Sequence, residues 1–245
     1  MKFFKHILNE SRSHRDGIFF KKIQKIVKVK PSSLPIYKQA FTHISLKSKS
    51  EEGHTISYER LEFLGDSILG AIISTYLFEN APHGDEGYLT KMRSKIVSRK
   101  NLNLLGERFN LTDLILSGIP AERLGKNING NLFESLIGAI YVDKGFKACE
   151  AFIYKKVIQK DVDLAKLEKR VVSYKSLMIE WCQKNKFPFE YIIEDDFGKD
   201  EEKHFSVKLF INNEICGKAR ETSKKRAEEK ASQRAYFTFQ NHINT

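Results

Sequence analysis

Two patterns of apolar residues divide the chain into a longer and a shorter part. From about residue 18 to residue 160, apolar residues recur at spacings of three and four, which is the period of amphipathic helices. Clusters of turn residues interrupt this pattern at 31–35, 49–53, 82–87 and 125–130. The alternation that marks β-strands is not evident in this part. The pattern therefore predicts a domain built from helices alone.

After residue 162 the pattern changes to short strands between two helices. Residues 174–186 have helical spacing, and a last helix is predicted to begin at Ser223 and to run to about Phe239. Asn212 and Asn213 suit a tight hairpin turn between the second and third strands. The strands themselves are predicted at 189–194, 205–210 and 215–220. The order helix, three strands, helix predicts a small α+β domain.

The expected architecture is an all-α domain at 18–160 followed by an α-β-β-β-α domain at 170–240, with a polar linker at 159–172. A chain of 245 residues with 41% hydrophobic residues is large enough for two packed cores. The net charge of +11 restricts the kind of binding partner and says little about the fold. A basic protein of this kind tends to bind nucleic acid, an anionic membrane or an acidic protein.

The chain shows no clear sequence signal for a membrane or for export. Its longest apolar run, residues 68–78, is short for a bilayer-spanning helix, and the basic N-terminus lacks the apolar core of a signal peptide. Cys149, Cys182 and Cys216 have no metal-binding or redox spacing, as in proteins of a reducing compartment. We expect a cytoplasmic protein with no membrane partner and no nucleotide cofactor.

Three carboxylates follow one face of a predicted helix near residue 60. Glu59, Glu62 and Asp66 are spaced i, i+3 and i+7, so their side chains stack along that face. The opposite face carries an apolar stripe of Leu61, Leu64, Ile68 and Ile72. Like charges at this spacing repel one another, and a divalent cation is a natural counter-charge. For such a face taken alone, a solvated acidic surface is the commoner explanation.

Two later segments add further oxygen donors. Asp85 and Glu86 lie in a turn, and Asn131 and Glu134 share a face of another predicted helix at i, i+3. Mg²⁺ prefers oxygen ligands and keeps part of its water shell, so carboxylates from two helices would suit it.

Residues 59–67 read Glu-Arg-Leu-Glu-Phe-Leu-Gly-Asp-Ser, and this string resembles the signature of the ribonuclease III family of double-strand-specific endoribonucleases. Residues 39–45, 85–87 with 92–93, and 133–139 resemble further blocks of that family in the same order. The likeness extends from about residue 18 to residue 240. It implies an all-α endonuclease domain followed by a small α+β double-stranded RNA-binding domain.

The resemblance also implies roles for the matching acids. Glu62, Asp66 and Glu134 resemble the primary metal ligands of the family. Glu59 and Glu86 resemble further acids that line its cleavage groove. The implied catalytic residues are therefore Glu59, Asp66, Glu86 and Glu134. The implied cofactor is Mg²⁺, for which Mn²⁺ is expected to substitute.

Asn131 departs from the family pattern, which usually has an aspartate three residues before the last glutamate. An amide oxygen can still bind Mg²⁺, so Asn131 is kept as a fourth metal ligand beside Glu62, Asp66 and Glu134. The substitution removes one negative charge from each site. We therefore expect weaker metal binding.

A dimer is expected from the same helix. Phe63, Gly70 and Ile73 lie close to its acidic side. An exposed apolar surface beside carboxylates is typical of an interface, and a second copy of the chain could bury it. The helical wheel is equally compatible with a solvent-exposed Phe63. The family resemblance favours a homodimer that pairs along this helix.

The start of the last helix carries a basic cluster. Ser223 is placed to cap the helix, and Lys224, Lys225 and Arg226 follow at an N-terminus whose N–H groups favour phosphate. Taken alone, such a cluster is more often a solvated face. With the order of elements it resembles a double-stranded RNA-binding domain, which reads A-form shape. Glu201 stands where the family usually has a histidine, so weakened minor-groove contacts are expected.

The function that the resemblance implies is Mg²⁺-dependent cleavage of double-stranded RNA in the processing of rRNA and mRNA precursors. Its products would carry 5′ phosphates and short 3′ overhangs. An alternative is a weakened or inactive family member that acts as a double-stranded RNA-binding or ribosome-associated protein. A third hypothesis is a helical scaffold whose positive charge serves solubility alone.

Overall fold

A computed structural model describes residues 14–168, 171, 173–196 and 203–243. The chain divides after Glu168 into two units. The first is made of helices, with the bounds α1 His14–Val27, α2 Leu34–Ala40, α3 Glu59–Asn80, α4 Glu86–Ile96, α5 Arg99–Arg108, α6 Ile128–Lys144, α7 Phe146–Ile153, α8 Gln159–Asp161 and α9 Leu164–Glu168. Shorter 3₁₀ turns lie at Ile44–Leu46, Leu111–Leu114 and Ala121–Arg123, and a π-helical turn at Tyr154–Ile158.

Helix α6 lies at the centre of this unit and is buried almost all round. Such a helix must be apolar on every side, and residues 132–140 are apolar or small except for Glu134 and Ser135. Its contact with α3 is backbone against backbone. A Cβ on Gly65 would lie 1.8 Å from the carbonyl oxygen of Glu134, and one on Gly138 would lie 2.2 Å from that of Leu61. This close crossing places the acids of α3 beside Glu134.

The structure differs from several expectations for this part of the chain. Helix α1 begins at His14, ahead of the predicted start, and α6 begins at Ile128, inside the predicted break at 125–130. The predicted linker at 159–172 is wrong in its first part, because α8 and α9 occupy most of it and Leu167 is buried. The buried Lys95 of α4 holds this segment, since its Nζ donates to the carbonyl of Leu167 at 2.6 Å.

The second unit has the predicted order of elements. It comprises α10 Tyr174–Lys184, β1 Phe189–Asp196, β2 His204–Ile211, β3 Glu214–Glu221 and α11 Lys224–Ile243. The strands form an antiparallel sheet in the order β1-β2-β3. Asn212 and Asn213 have φ of 51° and 67°, which confirms the hairpin turn.

Helix α11 lies directly on the sheet. Its Ala227, Ala231 and Ala235 are fully buried, and a Cβ on Gly217 of β3 would lie 2.1 Å from the carbonyl oxygen of Ala231. Because small residues meet here, the first turn of α11 is held at a definite place beside β3.

One helix among the described residues, α3, is long and apolar enough to cross a membrane. Its apolar residues Leu61, Leu69, Ile73 and Leu77 are buried in the core of the first unit. Packing thus accounts for part of the apolar character of α3, while Phe63 and Phe78 of the same helix are exposed.

Candidate active site between helices α3, α5 and α6

A cleft of ≈ 480 Å³ opens between α3, α5 and the start of α6. Of the residues that the structure describes, four carboxylic acids, three amides and one cation line it, together with four apolar or small residues. These residues are Glu59, Glu62, Asp66, Glu134, Asn103, Asn127, Asn131, Arg99, Phe63, Val97, Leu102 and Gly130. The structure therefore brings together every acid and amide that the sequence singled out as a ligand, and Glu59 with them.

The acids of α3 reach the cleft because helical spacing sets them on one side of that helix. Glu59 and Asp66 are exposed and Glu62 is half-buried. Glu59 lies in the first turn, where a negative charge is favoured by the helix dipole. The hydroxyl of Ser57 donates to Oε2 of Glu59 at 3.2 Å.

Glu134 is the most confined of these acids and is only 9% exposed. Burial raises its pKa to about 7, and the neighbouring charges of Asp66 and Glu62 act in the same direction. Arg99 partly offsets this, and a hydrogen bond with Asp66 adds to it. Burial likewise raises the pKa of Glu62, again opposed by Arg99. Burial and repulsion between the acids thus both disfavour the charged forms of Glu62 and Glu134.

The raised pKa of Glu134 predicts a pH-dependent stability of the metal-free protein. In the unfolded chain this carboxyl titrates near 4.5 and in the folded protein near 7. The folded protein binds the proton more tightly, so this contribution to stability is complete below about pH 4.5 and is lost as the pH rises through 7. We expect Glu134→Gln, kept in EDTA, to be about 3 kcal/mol more stable than the wild type at about pH 8 and nearly equal to it near pH 4.5. Urea unfolding at both pH values measures this, and an equal difference at the two would contradict it.

Asn131 is anchored by a residue that the sequence reasoning missed. Its side chain forms a hydrogen bond with the hydroxyl of Tyr58, the residue just before α3, which is 7% exposed. Burial raises the pKa of Tyr58, and the bond to Asn131 opposes this rise. The backbone N–H of Tyr58 donates to the carbonyl of Thr42 at 2.8 Å. Thr42, within the block 39–45 that resembles the family pattern, thus helps to hold Tyr58 in place.

The start of α6 is held by amides that periodicity could not identify. Oδ1 of Asn103 accepts from the N–H of Gly130 at 2.8 Å, and its Nδ2 donates to Asn127 at 3.4 Å. Further along, the hydroxyl of Ser135 donates to the carbonyl of Ala40 at 3.0 Å. These bonds fix the first turns of α6, on which Asn131 and Glu134 lie.

Glu86 lies apart from the cleft within one chain. It begins α4, where Asp85 caps the helix by accepting from the N–H of Tyr88 at 2.7 Å. Oε1 of Glu86 accepts from the hydroxyl of Thr90 at 3.0 Å. The surface that Glu86 lines runs along the second half of α3, with Ser74, Phe78 and Arg93. Its predicted catalytic role remains a prediction.

The donor set of the cleft fits a hard divalent cation. In the described ranges, no three side chains of His, Cys, Asp or Glu converge closely enough to enclose an ion as they stand. The donors around the cleft are nevertheless carboxylate and amide oxygens, which are the ligands that Mg²⁺ prefers. Burial raises the pKa of Glu134 and the charges of Asp66 and Glu62 add to this rise, so an ion between the acids would favour the charged form.

The apolar residues beside the acids differ in how far they are exposed to solvent. Phe63 is 79% exposed at the edge of the cleft, and Phe78 on the same helix is 74% exposed. Ile73, which was expected to share an uncovered surface with Phe63, is fully buried and belongs to the core. That expectation was wrong for Ile73 because α3 is buried over a wider arc than one stripe.

The basic cluster of the second unit is largely exposed at the start of α11. Lys224, Lys225 and Arg226 face solvent, and Nζ of Lys224 lies 5.5 Å above the ring of Phe205. The hydroxyl of Ser223 accepts from the N–H of Arg226 at 3.4 Å, which agrees with the predicted cap. The departure at residue 201 lies outside the described residues.

Comparison with known proteins covers both units. Residues 34–161 match the family model for ribonuclease-III-like proteins, and residues 174–236 match that for the double-stranded RNA binding motif. Ribonuclease 3 of Zunongwangia profunda is 55% identical over 100% of both chains, and ribonuclease 3 of Flavobacterium psychrophilum is 53% identical over 100% of this chain and 99% of its own.

A solved structure agrees with these matches for the first unit. The nuclease domain of ribonuclease III from Campylobacter jejuni, described for structural flexibility in a region involved in dimer formation, is 27% identical with a TM-score of 0.51. The match covers 58% of this chain and 98% of that domain. The family-model match at residues 34–161 includes the helices that form the cleft.

Proposed function

The chain belongs to the ribonuclease III family and is an endoribonuclease, and from that premise we propose that it cleaves double-stranded RNA in a Mg²⁺-dependent reaction at the cleft between α3, α5 and α6. The observation that carries the proposal is that Glu62 and Asp66 of α3 and Glu134 of α6 line the same cleft. Mn²⁺ is expected to substitute for Mg²⁺, since it takes similar oxygen ligands.

The proposed metal ligands and the neighbouring Tyr58 have separate tasks in this reaction. Glu62, Asp66, Asn131 and Glu134 would hold the cation, which when bound supplies positive charge to the scissile phosphate and lowers the pKa of an attacking water. In the metal-free protein the protonated carboxyl of Glu134 donates a hydrogen bond to Asp66, and a bound cation would take the place of that proton between the two carboxylates. Tyr58 holds the amide of Asn131, so that the donors are positioned before RNA arrives.

A homodimer would give the proposed products. Support comes from the large exposed ring of Phe63 beside the cleft and from the Campylobacter jejuni relative, whose description refers to dimer formation. Two such sites on one duplex would each cut one strand, leaving 5′ phosphates and short 3′ overhangs. Sedimentation equilibrium distinguishes a single chain of 28.4 kDa from a pair.

The second unit binds double-stranded RNA, and we propose that Ser223, Lys224, Lys225 and Arg226 contact its phosphates. Their exposure at the start of a long helix supports this role. Processing of rRNA and mRNA precursors in the cytoplasm is the proposed cellular context.

A second candidate function is that of a weakened or inactive member that binds RNA without cutting it. Asn131 is the observation that favours it, because it replaces a charged ligand with a neutral one. Incubation of the purified protein with long duplex RNA in Mg²⁺ or Mn²⁺ separates the two, with EDTA as the control. Discrete shortening with 5′-phosphate ends supports the nuclease, and intact RNA in both metals supports the binder.

Asn131→Asp should strengthen metal binding. A fourth negative charge among the ligands raises affinity for a divalent ion, so we expect the half-maximal Mg²⁺ concentration for cleavage to fall by about tenfold. Asn127→Asp is the matched control, because Asn127 also lines the cleft but is not a proposed ligand. An unchanged Mg²⁺ requirement in Asn131→Asp rules out this residue as a ligand, and an equal fall in both variants means that only the total charge matters.

A further inference from the structure

Among the described residues that line the cleft, Arg99 is the one cation. It is exposed and occupies the first turn of α5, directly after the capping residue Ser98. A positive side chain is disfavoured there, because the N-terminus of a helix already carries partial positive charge. An arginine at this point is therefore better explained by what it faces than by helix stability.

What Arg99 faces is the acidic wall of the cleft. Its charge acts on both Glu62 and Glu134, and in each case it opposes the effect of burial. Among the described residues, its guanidinium forms no hydrogen bond or close ion pair. Arg99 thus balances the acids at longer range and keeps its N–H donors available for a ligand.

The chemistry of a guanidinium at this place selects a phosphate. Its planar fork of donors matches two oxygens of a phosphodiester, and such pairs are among the stronger hydrogen bonds. The cleft is open to solvent through exposed residues on two walls, Glu59 and Asp66 on α3 and Arg99 on α5. A nucleic-acid backbone that approaches the acids therefore passes the guanidinium.

We propose that Arg99 is a phosphate-positioning residue that balances Glu62 and Glu134 in the metal-free protein and binds a backbone phosphate of duplex RNA once a divalent cation takes over that balance. The proposal rests on the proposed function of the cleft, which it deepens. It assigns to Arg99 an exchange of partners, from carboxylates of its own chain to a phosphate of the substrate.

This exchange of partners predicts that removal of Arg99 changes the affinities for the divalent cation and for duplex RNA in opposite directions. Without Arg99, the acids lose a competing positive charge, so a divalent ion binds more tightly. The duplex loses one phosphate contact, so RNA binds more weakly and with a smaller dependence on salt. A residue that merely supported the fold would weaken both or neither.

The test compares Arg99→Gln with Lys100→Gln, the neighbouring exposed cation of α5, which does not line the cleft. For Arg99→Gln we expect the dissociation constant for a long RNA duplex in Ca²⁺ to rise about fivefold to tenfold. The slope of the logarithm of RNA affinity against the logarithm of salt concentration should become smaller by about one. In the same variant, calorimetry without RNA should show Mn²⁺ bound about threefold more tightly. Arg99→Lys, which keeps the charge but loses the fork, should retain wild-type Mn²⁺ affinity and lose part of the RNA affinity.

Several results would overturn the proposal. One is that Arg99→Gln matches Lys100→Gln in both measurements; another is that it changes both affinities in the same direction. Absence of Mn²⁺ binding by the wild type would also overturn it. Neither readout needs cleavage, so a wild type that binds both ligands but leaves the duplex intact refutes the proposed hydrolysis and not the role of Arg99. Equal urea midpoints for Arg99→Lys and the wild type confirm that folding is intact.

Discussion

Replacing Glu134 with glutamine is expected to lower duplex cleavage in Mg²⁺ by about a thousandfold or more, while duplex binding in Ca²⁺ stays within about twofold of the wild type. Glutamine keeps the size of the side chain and removes the charge that the cation needs. Glu134 is the most buried acid among the described residues that line the cleft. Single-turnover cleavage and filter binding on one duplex measure the two quantities.

Glu107→Gln provides the matched control for this loss. Glu107 is an exposed acid on α5 and does not line the cleft, so its replacement should leave cleavage unchanged. Wild-type cleavage by Glu134→Gln would remove this residue from the mechanism. A parallel loss of RNA binding would instead point to a folding defect, which the unfolding midpoint of the same variant would reveal.

The second large effect is on stability. Gly65→Ala is expected to lower the free energy of unfolding by more than about 3 kcal/mol, because the new Cβ would lie 1.8 Å from the carbonyl oxygen of Glu134 and 2.9 Å from the backbone N of Gly138. Two helix backbones cannot relax as a flexible side chain does, so α3 and α6 must separate. Urea unfolding of the metal-free protein measures the change. Cleavage should fall as well, since the acids of the two helices move apart.

Gly17→Ala is the control for the alanine itself. Gly17 lies within α1 and has open space where its Cβ would be, so this change should stabilise the protein by up to about 1 kcal/mol through helix propensity. If Gly65→Ala lowers the free energy of unfolding by less than about 1 kcal/mol, the backbones of α3 and α6 are farther apart than in the structure.

Much of the fold follows from local patterns. The period of the apolar residues indicated helices in the first unit and strands in the second, and Asn212 with Asn213 marked the hairpin, because these signals depend on near neighbours in the chain. The linker at 159–172 was misjudged for the same reason. Its helical turns are stabilised by the distant Lys95, which donates to the carbonyl of Leu167.

The candidate site divides in a similar way. The acids of α3 could be placed on one face from their spacing, as could Asn131 with Glu134 on a second helix, and the family resemblance assigned the two faces to one site. Neither source indicated Arg99 or Tyr58, since both act across the cleft on residues far away in sequence. Ile73 was misplaced because a helical wheel shows which residues share a side but not how wide the buried arc is.

The sequence by itself determined the kind and order of the elements and the row of acids on α3, because periodicity and turn chemistry act between residues close in the chain. Only the tertiary structure decided that Glu134 is buried and shares a hydrogen bond with Asp66, that Arg99 opposes them, and that Glu86 lies elsewhere in the same chain. The physical reason is that burial and charge compensation depend on how closely α3 and α6 approach. Their two glycines allow a contact between backbones that no local pattern records.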